Sequence, residues 1–141
     1  MYPVKVSPNR RYFVDQKGEP VFWLGTTQWQ LFREYKMEDA ETIIEKSRAN
    51  GFVFAQVMLL GVGDGTQPNV YGETPWIDNN PLTPNEAYFR NVDAIVEAAG
   101  KKGLIISMTM YHQRYRPYIT PEKARAWATW IGRRYKDAPN I

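Results

Sequence analysis

The chain has 141 residues, 43% of them hydrophobic, which is enough for one domain with a real core. Eighteen Lys and Arg against fifteen Asp and Glu give a formal charge of +3. That charge is interspersed rather than gathered in the basic blocks that mark nucleic-acid binding, so no nucleic-acid partner is expected. No cysteine is present, which excludes disulfides and thiolate chemistry. No segment approaches the ~20 apolar residues of a membrane span, and no membrane partner is expected.

Residues 1–20 read as a β-hairpin preamble. Val4 and Val6 alternate with Lys5, Pro8-Asn9 turns the chain, Tyr12-Phe13-Val14 resumes an extended run, and Asp15-Gln16-Lys17-Gly18 turns again. The apolar run Val21-Phe22-Trp23-Leu24-Gly25 predicts a first core strand buried on both faces. Ala40, Ile43, Ile44 and Ser47 then share one helical face, and Gly51 marks its end. Phe52 to Leu60 reads as a second buried strand with Gln56 as its polar interruption. Thr83-Pro84-Asn85-Glu86 predicts a second helix with a threonine cap, proline next and a capping-box glutamate. Val92, Ile95, Val96 and Ala99 supply its apolar face, and Gly103 ends it. Leu104 to Met110 reads as a third strand, and Thr120-Pro121 opens a third helix with apolar positions Ala124, Trp127, Ala128 and Ile131.

Strand–helix alternation of this kind demands right-handed crossovers and a sheet covered by helices. The choice is between a (β/α)8 barrel and an open doubly wound sheet, whose dinucleotide-binding members carry a glycine-rich phosphate loop after the first strand. Gly25-Thr26-Thr27-Gln28-Trp29 lacks that spacing. Polar and aromatic residues instead follow each strand, as on the reactive face of a (β/α)8 barrel. The expectation over residues 21–141 is therefore an α/β fold. It would be a partial (β/α)8 TIM barrel of about three β/α units, cut before the fourth strand that Pro139-Asn140-Ile141 would lead into.

The loops after the strands hold the candidate chemistry. Thr26, Thr27, Gln28, Trp29 and Gln30 follow the first, with Glu34 close by. The long stretch from Gly61 to Pro84 carries Asp64, Asn69, Tyr71, Glu73, Trp76, Asp78, Asn79 and Asn80; a connection of that length is usually functional. Tyr111, His112, Gln113, Arg114 and Tyr115 follow the third strand. Aromatic planes beside amides, an imidazole and carboxylates suit a sugar, whose C–H face stacks on a ring while its hydroxyls need planar donors and acceptors. The same aromatics would serve equally to pack beneath the loops. Gln56, placed within an apolar strand, needs a partner in ligand or backbone, because burying an unpaired amide costs about 1–3 kcal/mol. His112 is the single histidine, which excludes a multi-histidine metal site, and neither a metal nor a cofactor is expected. Asp64 lies between Gly63 and Gly65, as a turn aspartate would. Glu34, Glu73 and Asp78 are carboxylates on the same face, but glycoside hydrolysis needs a pair at a defined separation, and no acid or nucleophile is assigned.

The chain is similar to a bacterial glycoside-hydrolase family, the apiosidase-like proteins. Val4-Lys5-Val6-Ser7-Pro8-Asn9, Phe22-Trp23-Leu24-Gly25-Thr26-Thr27-Gln28-Trp29 with Leu31-Phe32, and the Gly51-Phe52 junction carry the first part of the resemblance. It continues through Asn79-Asn80-Pro81, Pro84-Asn85-Glu86-Ala87-Tyr88-Phe89, Lys102-Gly103-Leu104, Arg134-Tyr135-Lys136-Asp137 and Pro139-Asn140-Ile141. The chain departs from many relatives in carrying Thr26 where they have an aspartate. The resemblance implies a (β/α)8 barrel acting on plant-polysaccharide glycosides, with the catalytic carboxylates near later strands than these. It leads us to expect a substrate-contacting wall built of Gln28, Trp29, Gln56, Asp64, Trp76, Tyr111 and His112, inactive as an isolated chain.

The carbohydrate is the expected ligand. A homo-oligomer or the missing C-terminal half of the barrel is the expected protein partner, because an open strand edge must be covered or paired. The alternative is a non-catalytic carbohydrate-binding or self-assembling half-barrel. Met1-Tyr2-Pro3-Val4 has no export-signal core. A bacterial cytoplasmic location is the default expectation, or export if a signal has been removed.

Overall fold

Alternating apolar residues separated by side-chain-braced turns fold the start of the chain into an antiparallel meander. The computed structural model describes residues 4–141 and places β1 at Lys5–Val6, β2 at Phe13–Val14 and β3 at Pro20–Val21, in the order β1-β2-β3. The first turn closes on Ser7, whose hydroxyl oxygen accepts from the Arg11 and Tyr12 N–H groups. The second closes on Asp15, whose carboxylate accepts from the Lys17 and Glu19 N–H groups. Residues 1–3 of the predicted preamble lie outside the described residues. The meander also holds one strand more than a hairpin, since Val21 pairs with Phe13.

That pairing revises the predicted core strand. The run Val21 to Gly25 is divided. Val21 belongs to the meander, Leu24 N–H bonds back to the Phe22 carbonyl at 2.8 Å, and the parallel strand β4 begins only at Gly25–Thr27. Phe22, Trp23 and Leu24 are 80%, 40% and 38% exposed, not buried. Trp23 instead stacks on Phe54 at 4.7 Å between ring centres and leans on Phe13 at 5.0 Å, so the meander is tied by rings to one face of the parallel sheet.

That sheet comprises β4, β5 (Phe54–Met58) and β6 (Ile105–Thr109), all parallel and in the order β4-β5-β6. Between and after them run α1 (Met37–Ala49), α2 (Glu86–Lys101) and α3 (Pro121–Tyr135). Successive side chains on a strand point to opposite faces. Ala55, Val57 and Ile106 are buried with Ile44 of α1, Phe89, Val92 and Ile95 of α2, and Trp127 and Ile131 of α3. The other face carries the row Thr27, Gln56 and Ser107, paired across the three strands and exposed.

Helix faces follow the predicted periodicity, with two differences. The cap of α2 is Asn85 rather than Thr83: Asn85 Oδ1 accepts from Ala87 N–H at 3.0 Å, and its Nδ2 donates to Glu73 and to the Thr74 carbonyl. Thr83 instead donates its hydroxyl to the Ile77 and Asn80 carbonyls, both at 3.0 Å, tying together the loop before the helix. Of the apolar positions predicted for α3, Ala128 is exposed, and Tyr135 takes a buried place one turn beyond Ile131. α1 ends as predicted, with Gly51 at φ +82° and the Phe52 N–H on the Ser47 carbonyl.

Arg134 fastens α3 to α2. Its Nε and Nη2 reach the two Asp93 oxygens at 3.0 and 2.7 Å, its Nη1 reaches Glu86 at 2.9 Å, and the guanidinium lies over the Phe89 and Trp130 rings. Past α3, the Asn140 carbonyl accepts from Ile106 N–H at 2.7 Å, on the side of β6 away from β5. Among the described residues no helix is long and apolar enough to cross a membrane.

Candidate functional site

The loops leave the parallel strands still in hydrogen-bond register, which fixes the side chains just past the strand ends. Gln28 N–H donates to the Gln56 carbonyl at 2.9 Å, Met58 N–H to Trp29 at 3.3 Å, and Leu59 N–H to Thr109 at 3.0 Å. Above these bonds lies a cavity of about 380 Å3 lined by Trp29, Gln56, Met58, Val62, Thr109, His112, Gln113 and Arg114. Its size falls within the range of small-molecule sites, ~300–1,000 Å3. It sits at the carboxyl ends of parallel strands, where such folds place their ligands.

Trp29 is 50% exposed and offers a ring face. His112 caps a single 3-10 turn, Gln113–Tyr115, its Nδ1 accepting from Arg114 N–H at 3.3 Å. In the neutral ring Nε2 is then the N–H donor, left available to a ligand. Arg114 is the one charged side chain of the lining and is exposed.

The wall of the cavity is anchored from below. Gly61 takes φ +69°, and its carbonyl accepts from the buried Tyr115 hydroxyl at 2.6 Å. The Tyr88 hydroxyl does the same for Leu59 at 2.9 Å, and Gln30 Oε1 receives the Val62 N–H at 3.0 Å. Burial pushes the Tyr115 hydroxyl up to about 12 and raises that of Tyr88 further. Tyr115 also meets the His112 ring edge-on at 5.8 Å, so a single side chain braces the loops after β5 and β6.

Three of the seven residues chosen from sequence, Trp29, Gln56 and His112, thus converge on one cavity. Gln56 was expected within a buried strand. It is exposed on the open face, so its amide has water or ligand before it rather than an apolar core. Gln28 is half-buried beside β5 and Tyr111 is 49% exposed against Tyr115, and neither lines this cavity. Asp64 is engaged by its own turn. One oxygen accepts from the Thr66 hydroxyl at 2.6 Å, the Thr66 N–H at 3.0 Å and the Gln67 amide at 3.0 Å, and these bonds hold its carboxyl below the usual range. Trp76 is corrected outright. It is 1% exposed, edge-on to Trp127 at 5.4 Å and beside Tyr118, a core side chain beneath the long loop.

Gln113 and Arg114 were legible only as members of a polar run after a strand, Thr109 was read only as part of the third strand, and Val62 gave no signal at all. The anchoring role of Tyr88 and Tyr115 depends on distant carbonyls, which no local pattern reports. Among the described residues no carboxylate lines the cavity. Glu34 pairs with Arg33 at 2.6 Å, Glu73 accepts from Asn85 at 3.0 Å, and Asp78 stands exposed in a turn at φ +53°. The lining can therefore stack on a ring and exchange hydrogen bonds with hydroxyls, but it holds no acid pair for bond cleavage. A larger cavity of about 540 Å3 lies at the opposite end of the helices, between the last turns of α2 and α3 beside Pro139 and Asn140, away from the strand ends that carry these groups.

The family model for the apiosidase-like catalytic domain matches residues 7–141. A solved glycoside hydrolase is similar at 29% identity and TM-score 0.85 over 98% of this chain and 32% of its own. A glycoside hydrolase family 5 protein from Bacteroides vulgatus is similar at 26% identity and TM-score 0.84 over 98% of this chain and 31% of its own. A family 5 mannosidase from Rhizomucor miehei, at 17% identity and TM-score 0.57 over 96% and 38%, is a likeness of fold alone. The chain spans about a third of the length of these structures. No curated protein matches it.

Proposed function

The chain belongs to the apiosidase-like catalytic-domain family, and from that premise we propose that it forms the substrate-facing N-terminal part of a glycoside hydrolase barrel acting on plant-polysaccharide glycosides. Trp29 stacks on the sugar ring, and Gln56, His112 and Arg114 take its hydroxyls. Gln28 and Tyr111 flank the mouth. The carboxylates that cleave the bond come from polypeptide other than the described residues, so this chain binds sugar without turning it over.

The observation that carries this reading is the convergence of Trp29, Gln56 and His112 on one cavity at the carboxyl ends of three parallel strands, in a lining that contains no acid. A barrel layout is further supported by the exposed polar row Thr27, Gln56 and Ser107, which faces where closing strands would stand, and by Asn140 bonded along the outer side of β6.

Calorimetric titration with pectic mono- and oligosaccharides, together with an aryl-glycoside assay, tests it. Binding without turnover is expected. Trp29→Ala should weaken binding at least about tenfold, the loss of one stacked ring, while leaving the melt nearly unchanged because the side chain is half exposed. Turnover by this chain that disappears on changing Glu34, Glu73 or Asp78 would overturn the assignment of the acids.

The exposed apolar run Phe22-Trp23-Leu24 favours a second reading, a non-catalytic half-barrel that completes itself by association. Sedimentation separates the two. A sugar-binding dimer whose mass falls to that of the monomer in Phe22→Ser supports self-completion, whereas a monomer at micromolar concentration removes it.

A further inference from the structure

A second concavity of about 400 Å3 is lined by Arg33, Glu34, Gln67, Pro68, Asn69 and Val70. Gly61, packed against the Arg33 side chain, and Val62, which lines the first cavity, form the wall that links the two. Val62 lines the first cavity and is held through its N–H by Gln30, while a Cβ added to Gly61 would meet the Gln30 amide oxygen and the Arg33 side chain. A ligand longer than one ring that left the first cavity over this wall would arrive at Arg33.

The lining has the two kinds of surface that a sugar needs. A guanidinium, a carboxylate and two amides provide planar donors and acceptors, and Pro68 with the 39% exposed Val70 provides an apolar face. It is also built before any ligand enters. Arg33 Nη1 donates to Gln67 at 3.1 Å, Gln67 donates to Asp64, and Val70 N–H is held by the Arg33 carbonyl at 2.7 Å. Asn69 is 5% exposed, and its oxygen accepts from the Tyr71 and Glu73 N–H groups, so the loop backbone is fixed to the cavity floor. The Asn69 Nδ2 is buried and has no hydrogen-bond partner among the described residues. Glu34 presents a half-exposed carboxylate beside the nearly buried Arg33. Side chains already fixed in place lose little further freedom on binding, which favours affinity.

From this geometry we infer that Arg33, Glu34, Gln67 and Val70 form a second carbohydrate subsite, which takes the sugar residue next to the one held against Trp29. The inference rests on the reading of the first cavity as a sugar site. It makes the protein an oligosaccharide binder with the loop after β5 as the ridge between two units. The polar brace around Asp64, which the first cavity does not use, becomes the support of the second.

The test is calorimetric titration of the protein with arabino-, xylo- and galacturono-oligosaccharides of one to four units. The wild type is expected to bind at least one two- or three-unit ligand about tenfold more tightly than its monosaccharide, the contribution of a second set of hydrogen bonds. Glu34→Gln, at an exposed position that does not threaten folding, and Val70→Trp, which fills the concavity, should each abolish that gain and leave monosaccharide affinity unchanged. Trp29→Ala should weaken both. Monosaccharide binding that depends on Trp29, with no gain from length or a gain indifferent to Glu34 and Val70, overturns the second subsite while keeping the first. Absence of binding by every sugar in the series overturns both.

Discussion

Replacing Tyr115 by Phe removes one oxygen and keeps the ring that packs beneath His112. The hydroxyl donates to the Gly61 carbonyl at 2.6 Å, and both residues are buried. A hydrogen bond is worth about 0.5–1.5 kcal/mol net, and a buried acceptor left without a donor costs about 1–3 kcal/mol, so the variant should lose about 1–3 kcal/mol at neutral pH. Urea unfolding followed by tryptophan fluorescence reads this as a lower midpoint at constant slope. The pH dependence gives an independent check. An unfolded tyrosine ionises near pH ~10. Burial holds Tyr115 protonated up to about 12. Its raised value means that the hydroxyl's contribution is complete below pH ~10 and is lost as the pH climbs to about 12, because the unfolded chain releases its proton first. The gap between wild type and Tyr115→Phe should therefore close over that window. A loss under about 0.5 kcal/mol at neutral pH, with a gap that stays constant through the alkaline range, would show that this hydroxyl does not anchor the Gly61 loop.

Three further outcomes bear on the same architecture. Asn85→Ala should destabilise α2 by about 1–2 kcal/mol and Thr83→Ala by less, since only Asn85 bonds the first turn; the reverse order in thermal melts would restore the threonine cap. Arg134→Met should cost about 1–2 kcal/mol, with the difference shrinking in high salt, because Asp93 and Glu86 are partly exposed and regain water when the guanidinium leaves. A salt-independent loss would assign the effect to packing on Phe89 and Trp130 instead. Gly61→Ala should cost about 2 kcal/mol or more, because φ is +69° and the new methyl meets Gln30 and Arg33, and sugar affinity should fall with it; an undisturbed melt and titration would mean that the wall between the cavities is soft.

The three helices were readable because their evidence is local. A 3.6-residue spacing of Ile44 with Ala40, or of Val92, Ile95, Val96 and Ala99, reports a buried stripe whatever the rest of the chain does. Glycine at positive φ marked the ends of α1 and α2 for the same reason. Periodicity failed on the run Val21 to Gly25. Continuous apolarity says that a segment is comfortable away from water but not which neighbour covers it. Here the segment is shared between an antiparallel meander and a parallel strand, with Trp23 satisfied by the Phe54 ring.

Sequence alone determined that this protein alternates strands and helices, and that polar and aromatic side chains gather in the loops after the strands, because both properties are written in residue spacing. Only the tertiary structure decided which of two tryptophans is open to solvent. Trp29 stands half exposed at a strand end, and Trp76, in an equally polar loop, lies under Trp127 and Tyr118 in the core. It likewise decided that Gln56 faces out, since a shift of one residue reverses every side chain of a strand. Exposure and convergence depend on contacts between residues far apart in the chain, such as Tyr115 with Gly61 and Gln30 with Val62, and no local pattern encodes them.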